Sequence, residues 1–445
     1  MRLLTLTLFV AASAFAQNPA IPAEVQSVIP EARSLYLDLH QHPELSSHET
    51  ETAALLADRL RKLGYAVTAN VGGTGVVAIL KNGPGPTVML RTELDALPVE
   101  EHTGLPYASK VHTKDDGGRD VPVMHACGHD LHMAAWWGTA AVMAKSKANW
   151  HGTLMLIAQP AEETITGAQH MLADGLFTRF PKPDVGLALH DSNSVAAGKV
   201  AVTPKIFNTA ADSLRITVYG RGGHGSRPDV TIDPVVLAAN IVVRLQSIVA
   251  REVRPGEVAV ITVGSIRAGT KNNIIPDTAQ LDLTVRSRKN EVREHVLASI
   301  DRVAKGEAIA SGAEKMPLIE KYESTSAVYN DPVLAEHLIP VLESALGKGN
   351  VLLQEPIMAS EDYAAFIEAG VPSLYFELGA ADPAKLSDSQ KTGVPLPNLH
   401  SSQFAPVTDV ALPVGITAEV ALLQHLLQGK PFDTASMTEK KTMQP

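Results

Sequence analysis

A chain of 445 residues with 45% hydrophobic and 19% charged side chains carries enough apolar material for two or three packed domains, which excludes a disordered or fibrous polymer. Its formal charge of −10 opposes polyanions, so nucleic acid is not an expected partner. Cys127 is the single cysteine, and an intrachain disulfide is therefore excluded.

The elements follow in chain order. Residues 1–16, MRLLTLTLFVAASAFA, combine an early Arg2, an apolar run and a small-x-small end at Ala14-Phe15-Ala16, the pattern of a cleavable signal peptide. No later stretch reaches the roughly 20 uninterrupted apolar residues of a membrane span. The mature protein is thus expected in the periplasm or secreted, with no membrane partner. Ser46 and Glu49 form a candidate capping box ahead of a helix through Ala53, Leu56, Leu60 and Leu63, with Gly64 as its stop.

Short apolar runs at 76–80, 88–90, 154–158, 185–189 and 374–376 alternate with helical stretches. Runs buried on both faces predict an α/β fold, a mostly parallel sheet with flanking helices. Ionisable residues come directly after several of them: Arg91, Glu93 and Asp95, then Glu162-Glu163, then His190. Open α/β sheets bind ligands at the carboxyl ends of their strands, so these positions predict a site.

From 203 to 316 the pattern changes. A strand at 212–219, a helix opened by Asp233-Pro234, strands at 258–263 and 279–286, and a helix capped by Asn290 and ended by Gly306 make a ferredoxin-like α+β unit with room for a closing strand. This unit is read as a lid inserted between residues 17–202 and 317–445 of a catalytic domain, with hinges near 202–203 and 317. Residues after about 431 are polar and expected to fray.

Five ligand-capable side chains fall within residues 125–132, HACGHDLH. Cys127 and His129 are too close to share a helix face but suit a loop that grips one or two ions, whereas His125 and His132 read as supporting residues. Of the adjacent Glu162 and Glu163, one carboxylate is placed to hold metal and the other to hold an attacking water, a division that spacing does not fix. His190 and His400 read equally well as ligands or as ordinary loop histidines. His224 lies between Gly223 and Gly225, on a loop suited to close approach.

Taken together, HACGHDLH, the QPAEE that ends at Glu163, LHSSQF from Leu399, GGHGSRP and NNIIPD resemble the aminoacylase and carboxypeptidase metallohydrolases, in the branch with hippurate hydrolases and hydrolases of amino-acid-conjugated auxin. The resemblance implies two divalent ions per subunit held by Cys127, His129, Glu163, His190 and His400, with Glu162 as general base and acid. It also implies that the lid dimerises, that His224 holds the reacting carbonyl and often reaches the partner subunit, that Asn273 lies near the substrate, and that Arg286 is a candidate for the substrate carboxylate.

Thiolate and imidazole donors favour zinc, with manganese, cobalt or nickel also able to serve. The expected substrate is an N-acyl amino acid or small peptide-like amide. Three departures from the branch stand at the site: Glu93 where Asp is usual, Thr164-Ile165-Thr166-Gly167 after Glu163, and Asp191-Ser192-Asn193 after His190. The competing readings are a carboxypeptidase or dipeptidase on the same scaffold, an amidase with Cys127 as nucleophile, and a non-catalytic binding protein.

Overall fold

The computed structural model describes residues 19–428. The expected signal peptide at 1–16 and the polar tail after 431 lie outside the described residues. Two sheets organise the chain. The larger has the strand order Ala66–Ala69, Val76–Asn82, Gly152–Gln159, Thr87–Glu93, Val185–Ala196, Ser373–Ala381, Val200–Val202 and Val351–Leu353. Its four central strands, from Gly152–Gln159 to Ser373–Ala381, are parallel. Residues 76–80, expected among the parallel strands, instead pair antiparallel with both of their neighbours.

The helix His129–Lys145 is buried at every position from His129 to Met143 because it packs between this sheet and the helices Ile29–Gln41 and Thr408–Leu426. Its sequence is apolar all round, as a helix enclosed on every side requires. Trp136 pins it to the sheet, its indole N–H donating to the Leu90 carbonyl at 3.1 Å.

The second sheet is antiparallel, in the order Ala259–Ala268, Thr278–Ser287, Ala210–Tyr219, Leu318–Thr325, and is packed by the helices Pro234–Arg251 and Asn290–Ala310 around its own apolar core. This is the ferredoxin-like order. The closing strand lies past residue 316, so the sheet takes in a segment that the sequence pattern assigns to the other domain. Asp233 caps its first helix as expected, accepting from the Val235 N–H at 2.8 Å with Pro234 in the first turn.

Two expected helix signals are corrected. Ser46 caps nothing; its hydroxyl donates to Asp95 Oδ2 at 2.6 Å, and Glu49 accepts the Ser47 and Ala161 N–H groups, both at 2.8 Å. Site loops compete for these side chains and win. The helix Asn290–Ala310 has Lys289 rather than Asn290 at its cap, runs through Gly306 and stops before Gly312, whose φ of 70° supplies the left-handed turn.

Glu419 is buried between the helices Thr408–Leu426 and His129–Lys145, where it accepts a 2.6 Å hydrogen bond from Thr139 Oγ1, and burial pushes its carboxyl up to about 8. A raised carboxylate binds more protons folded than unfolded, so its contribution to stability is present below the ordinary carboxylate range and is lost as pH rises toward 8. Glu419→Gln keeps the acceptor for Thr139 and removes the ionisation. Denaturant titrations at pH 5 and pH 8 should show the parent losing on the order of 2–4 kcal/mol more than the variant over that interval. Parallel pH profiles for the two proteins would refute the assignment.

Candidate metal centre

The carboxyl ends of the central strands supply the site. Asp95 follows Thr87–Glu93, and Glu162 and Glu163 follow Gly152–Gln159; His190 lies within Val185–Ala196 rather than beyond its end. Between Cys127 and His129 the chain turns at Gly128, with φ of 75°, before entering the His129–Lys145 helix. The late loop is tied to this turn: the His400 N–H donates to the Ala126 carbonyl at 2.7 Å, with His400 itself at a φ of 66°.

These loops bring together all five residues expected as ligands. Donor atoms of Cys127, His129 and His190 lie within 4.8 Å of one another, as do those of Cys127, Glu163 and His400, and those of His129, Glu162 and Glu163. Cys127 Sγ is 3.5 Å from His190 Nε2 and 3.2 Å from His400 Nε2, and the latter is 3.4 Å from Glu163 Oε1. The groups share residues, so they form one continuous donor strip large enough for more than one ion.

The donors fit divalent cations for a reason beyond proximity. His129 Nδ1 bonds to the Asp95 carbonyl at 2.8 Å, which leaves Nε2 buried with no hydrogen-bond partner; Glu163 Oε1 is buried and accepts no hydrogen bond, with the His400 ring as its ionic neighbour. His190 repeats the arrangement, its Nδ1 bonded to the Asp191 carbonyl at 2.8 Å. An imidazole whose outer nitrogen donates to a carbonyl presents its other lone pair as a metal donor. Sulfur, nitrogen and oxygen converging in this way suit zinc or a neighbouring transition ion better than magnesium or calcium.

Electrostatics lead to the same conclusion. Burial, aided by the carboxylates of Glu361, Glu163, Asp362 and Asp95, pushes the Glu162 carboxyl well above its ordinary range. Burial together with Glu163, Glu162 and Asp191 pushes the Cys127 thiol up. Cations at the strip reverse both effects. A Cys nucleophile needs a depressed thiol, and this environment does the opposite.

The lid residues stand apart. His224 and Asn273 are exposed where two short strands distant in sequence, Gly223–His224 and Ile274–Ile275, pair; His224 Nδ1 accepts from Ser226 Oγ at 2.8 Å and the Asn273 carbonyl accepts from the Gly225 N–H at 2.9 Å. Arg286 is half-buried and donates to Ser360 Oγ at 2.6 Å, at the junction of the lid sheet with the loop before Glu361. The centre thus gathers the five donors and Glu162, while His224 and Asn273 are exposed residues of the lid.

Sequence reasoning missed Glu361 and Asp362. Both flank the fully buried Arg91, whose Nη2 lies 2.7 Å from Glu361 Oε1 and 3.3 Å from Asp362 Oδ1, while its Nη1 pairs with Glu93. The signal was two adjacent acids directly before an apolar helix, in a segment with no other site motif. His132 has the supporting place expected of it, its Nδ1 being 3.0 Å from Glu93 Oε2. His125, by contrast, is buried with neither ring nitrogen hydrogen-bonded, and burial lowers it to about 4, which keeps it neutral.

Comparison with known proteins gives the arrangement its family. Residues 89–401 match the profile of Peptidase family M20/M25/M40. The chain is similar to thermostable carboxypeptidase 1 of Saccharolobus solfataricus, at 36% identity over 86% of this chain and 92% of the relative. It is also similar to hippurate hydrolase of Campylobacter jejuni, at 38% identity over 74% and 83% of the two chains. Among solved structures, a Bacillus subtilis dinuclear metal binding peptidase from the M20 family superposes with a TM-score of 0.72 at 27% identity, covering 90% of this chain and 99% of that one. With its family profile spanning both Cys127 and His400, and its α/β fold shared with that structure, this chain belongs to the M20/M25/M40 peptidase family, hydrolases of amide bonds.

Proposed function

We propose that the protein is an exported, two-metal amidohydrolase that cleaves N-acyl amino acids or small peptide-like amides to a carboxylic acid and an amine. The observation that carries this reading is the convergence of Cys127, His129, Glu163, His190 and His400 on one donor strip, with Glu162 adjoining it. The solved relative described as dinuclear supports the number of ions, and the relative named for hippurate supports the amide class. Export rests on residues 1–16.

In this mechanism Cys127, His129, Glu163, His190 and His400 hold the ions. When bound, two divalent cations supply Lewis acidity that brings the pKa of a water toward about 7. Glu162 orients that water, accepts its proton during attack on the amide carbon and returns it to the departing amine. Glu162 is 6% exposed as a residue, so little bulk solvent competes for the proton. His224 donates toward the developing oxyanion and Asn273 helps seat the substrate. Arg286, lacking an acidic hydrogen-bond partner, is suited to a substrate carboxylate.

His224 is exposed, with its Nδ1 engaged by Ser226, and on this reading a second copy or a movement of the lid brings it to the carbonyl. A homodimer through the lid is favoured by the surface. Val235, Val236 and Val243 of helix Pro234–Arg251 are 43%, 57% and 73% exposed, and the strand Ala259–Ala268 against which this helix packs is an edge of its sheet. Apolar side chains grouped beside an unpaired strand edge mark an interface. A carboxypeptidase activity on the same scaffold is the second reading, favoured by the relative of that name.

Glu162→Gln should lower kcat by at least about 10²-fold, the low end for a general base, while metal content stays at two ions per chain; near-parental turnover would refute the role of Glu162. A chelator should abolish cleavage of N-acetyl, N-benzoyl and indole-acetyl amino acids and of dipeptides, with zinc or manganese restoring it. Activity that survives chelation and leaves an acyl adduct on Cys127 would establish the thiol mechanism instead, and tight amide binding without product would establish a binding protein. Val243→Asp should convert a dimer to monomer in light scattering and reduce kcat where His224 acts across the interface; an unchanged mass would remove helix Pro234–Arg251 from the interface.

A further inference from the structure

Three buried groups behind the centre take part neither in the proposed ligation nor in the proposed proton transfer: Glu93, His132 and Asp191. Asp191 directly follows His190 and is 1% exposed. Its carbonyl bonds to His190 Nδ1 at 2.8 Å, and its Oδ1 lies 3.4 Å from the same nitrogen. On its other side, the Asp191 N–H donates to His132 Nε2 at 2.8 Å, with Oδ1 3.3 Å from that atom. His132 Nδ1 lies 3.0 Å from Glu93 Oε2, and Glu93 pairs with Arg91.

One protonation state satisfies the short contacts together. With its proton on Nδ1, His132 donates to Glu93 and accepts from the Asp191 N–H. His190 then donates from Nδ1 to the Asp191 carbonyl and keeps Nε2 free. The second carboxylate oxygen of Asp191, Oδ2, is buried without a hydrogen-bond partner and stands over Gly128, where a Cβ would come within 2.4 Å of it. Asp191 therefore touches the back of one proposed ligand and the turn that sets the spacing of two others, Cys127 and His129.

We propose that Asp191 is a positioning residue for the metal centre, the last link of a buried chain Arg91–Glu93–His132–Asp191 that fixes His190 and the Cys127–His129 turn. The proposal rests on the two-ion reading above. Its physical content is twofold: the chain stops His190 from rotating, and a carboxylate behind the ring makes Nε2 a stronger donor. Glu93 is required at its full length, because Oε1 must meet Arg91 while Oε2 meets His132, and a side chain shorter by one methylene cannot reach as far.

The test uses the full chain. Asp191→Asn preserves shape and removes charge; Glu93→Asp leaves Asp191 intact and shortens the link one step away. Zinc affinity is measured by chelator competition, and the Co(II)-loaded protein by its visible d–d spectrum. Each variant should weaken one of the two ions by about 10–100-fold and shift the Co(II) band; Asp191→Asn should do so with no fall in the thermal midpoint of the metal-free protein, whereas Glu93→Asp also loosens the buried pair with Arg91 and lowers that midpoint. The double variant should lose less than the product of the single losses, because both substitutions cut one chain. Parental zinc affinity and an unshifted spectrum in both variants would overturn the proposal, as would an affinity loss in Asp191→Asn that merely follows a fall in metal-free stability. Failure of the parent to bind any ion would instead overturn the two-ion reading, taking this proposal with it.

Discussion

Unbalanced negative charge at the carboxyl ends of the parallel strands is the constraint on which this centre depends. Glu93, Asp95, Glu162, Asp191, Glu361 and Asp362 are all buried, and the buried guanidinium facing them is Arg91. Buried carboxylates without counter-ions are costly, and they answer by taking up protons or binding cations. Arg91 pairs with Glu93, Glu361 and Asp362, while Asp95 and Asp191 rest on the imidazoles of His129 and His132; Glu162, beside the donor strip, feels the remaining repulsion. Metal binding at such a place is coupled to folding, since the same cations that serve the chemistry remove the repulsion that the fold accumulates.

The architecture explains why the repulsion accumulates here. Parallel strands end on one edge of the sheet, so residues distant in sequence are forced into a single layer. The His129–Lys145 helix begins in that layer, and its buried position, fixed by Trp136 on Leu90, leaves His129 and His132 little freedom. His129 leans on Asp95, His190 on Asp191, and His132 on both Glu93 and Asp191. Each imidazole is held from behind by a residue one strand or one turn away. Precision at the centre is thus a property of the sheet and helix rather than of the loops that carry the donors.

Much of this was legible in the sequence because it followed short-range rules. Apolar runs gave the strands, and the polar residues just past them gave the site; Asp233-Pro234 marked its helix because a cap and a fixed φ act locally. What escaped were features decided by distant partners. Ser46 satisfies every local criterion for a cap, yet its hydroxyl goes to Asp95, which the fold brings within 2.6 Å. Glu361 and Asp362 offer only their adjacency before an apolar helix, and their meaning comes from Arg91, which lies on the strand Thr87–Glu93. Asp191 read as a change beside the pocket; its register opposite Leu378 and its contact with His132 arise from the sheet and the neighbouring helix. The direction of residues 76–80 was equally a tertiary matter, since a run buried on both faces looks the same in parallel and antiparallel pairing.

On the proposed reading, the lid contributes His224 to the site. His224 lies on the short strand Gly223–His224, paired with Ile274–Ile275; the Ser226 N–H and hydroxyl donate to its Nδ1, so the side chain is held before any substrate arrives, yet it is exposed. Hinge closure and pairing with a second copy are two ways to supply it, and they make different demands on the surface. Closure needs a mobile junction, whereas Arg286 on the lid sheet is bonded to Ser360 and Arg288 to the Pro356 carbonyl at 2.9 Å, contacts that any large rotation would break. Pairing needs an apolar face beside a free strand edge, and Ala259–Ala268 with the valines of Pro234–Arg251 provides both. On the proposed reading, these junction contacts and the exposed apolar face together favour a second copy as the source of His224.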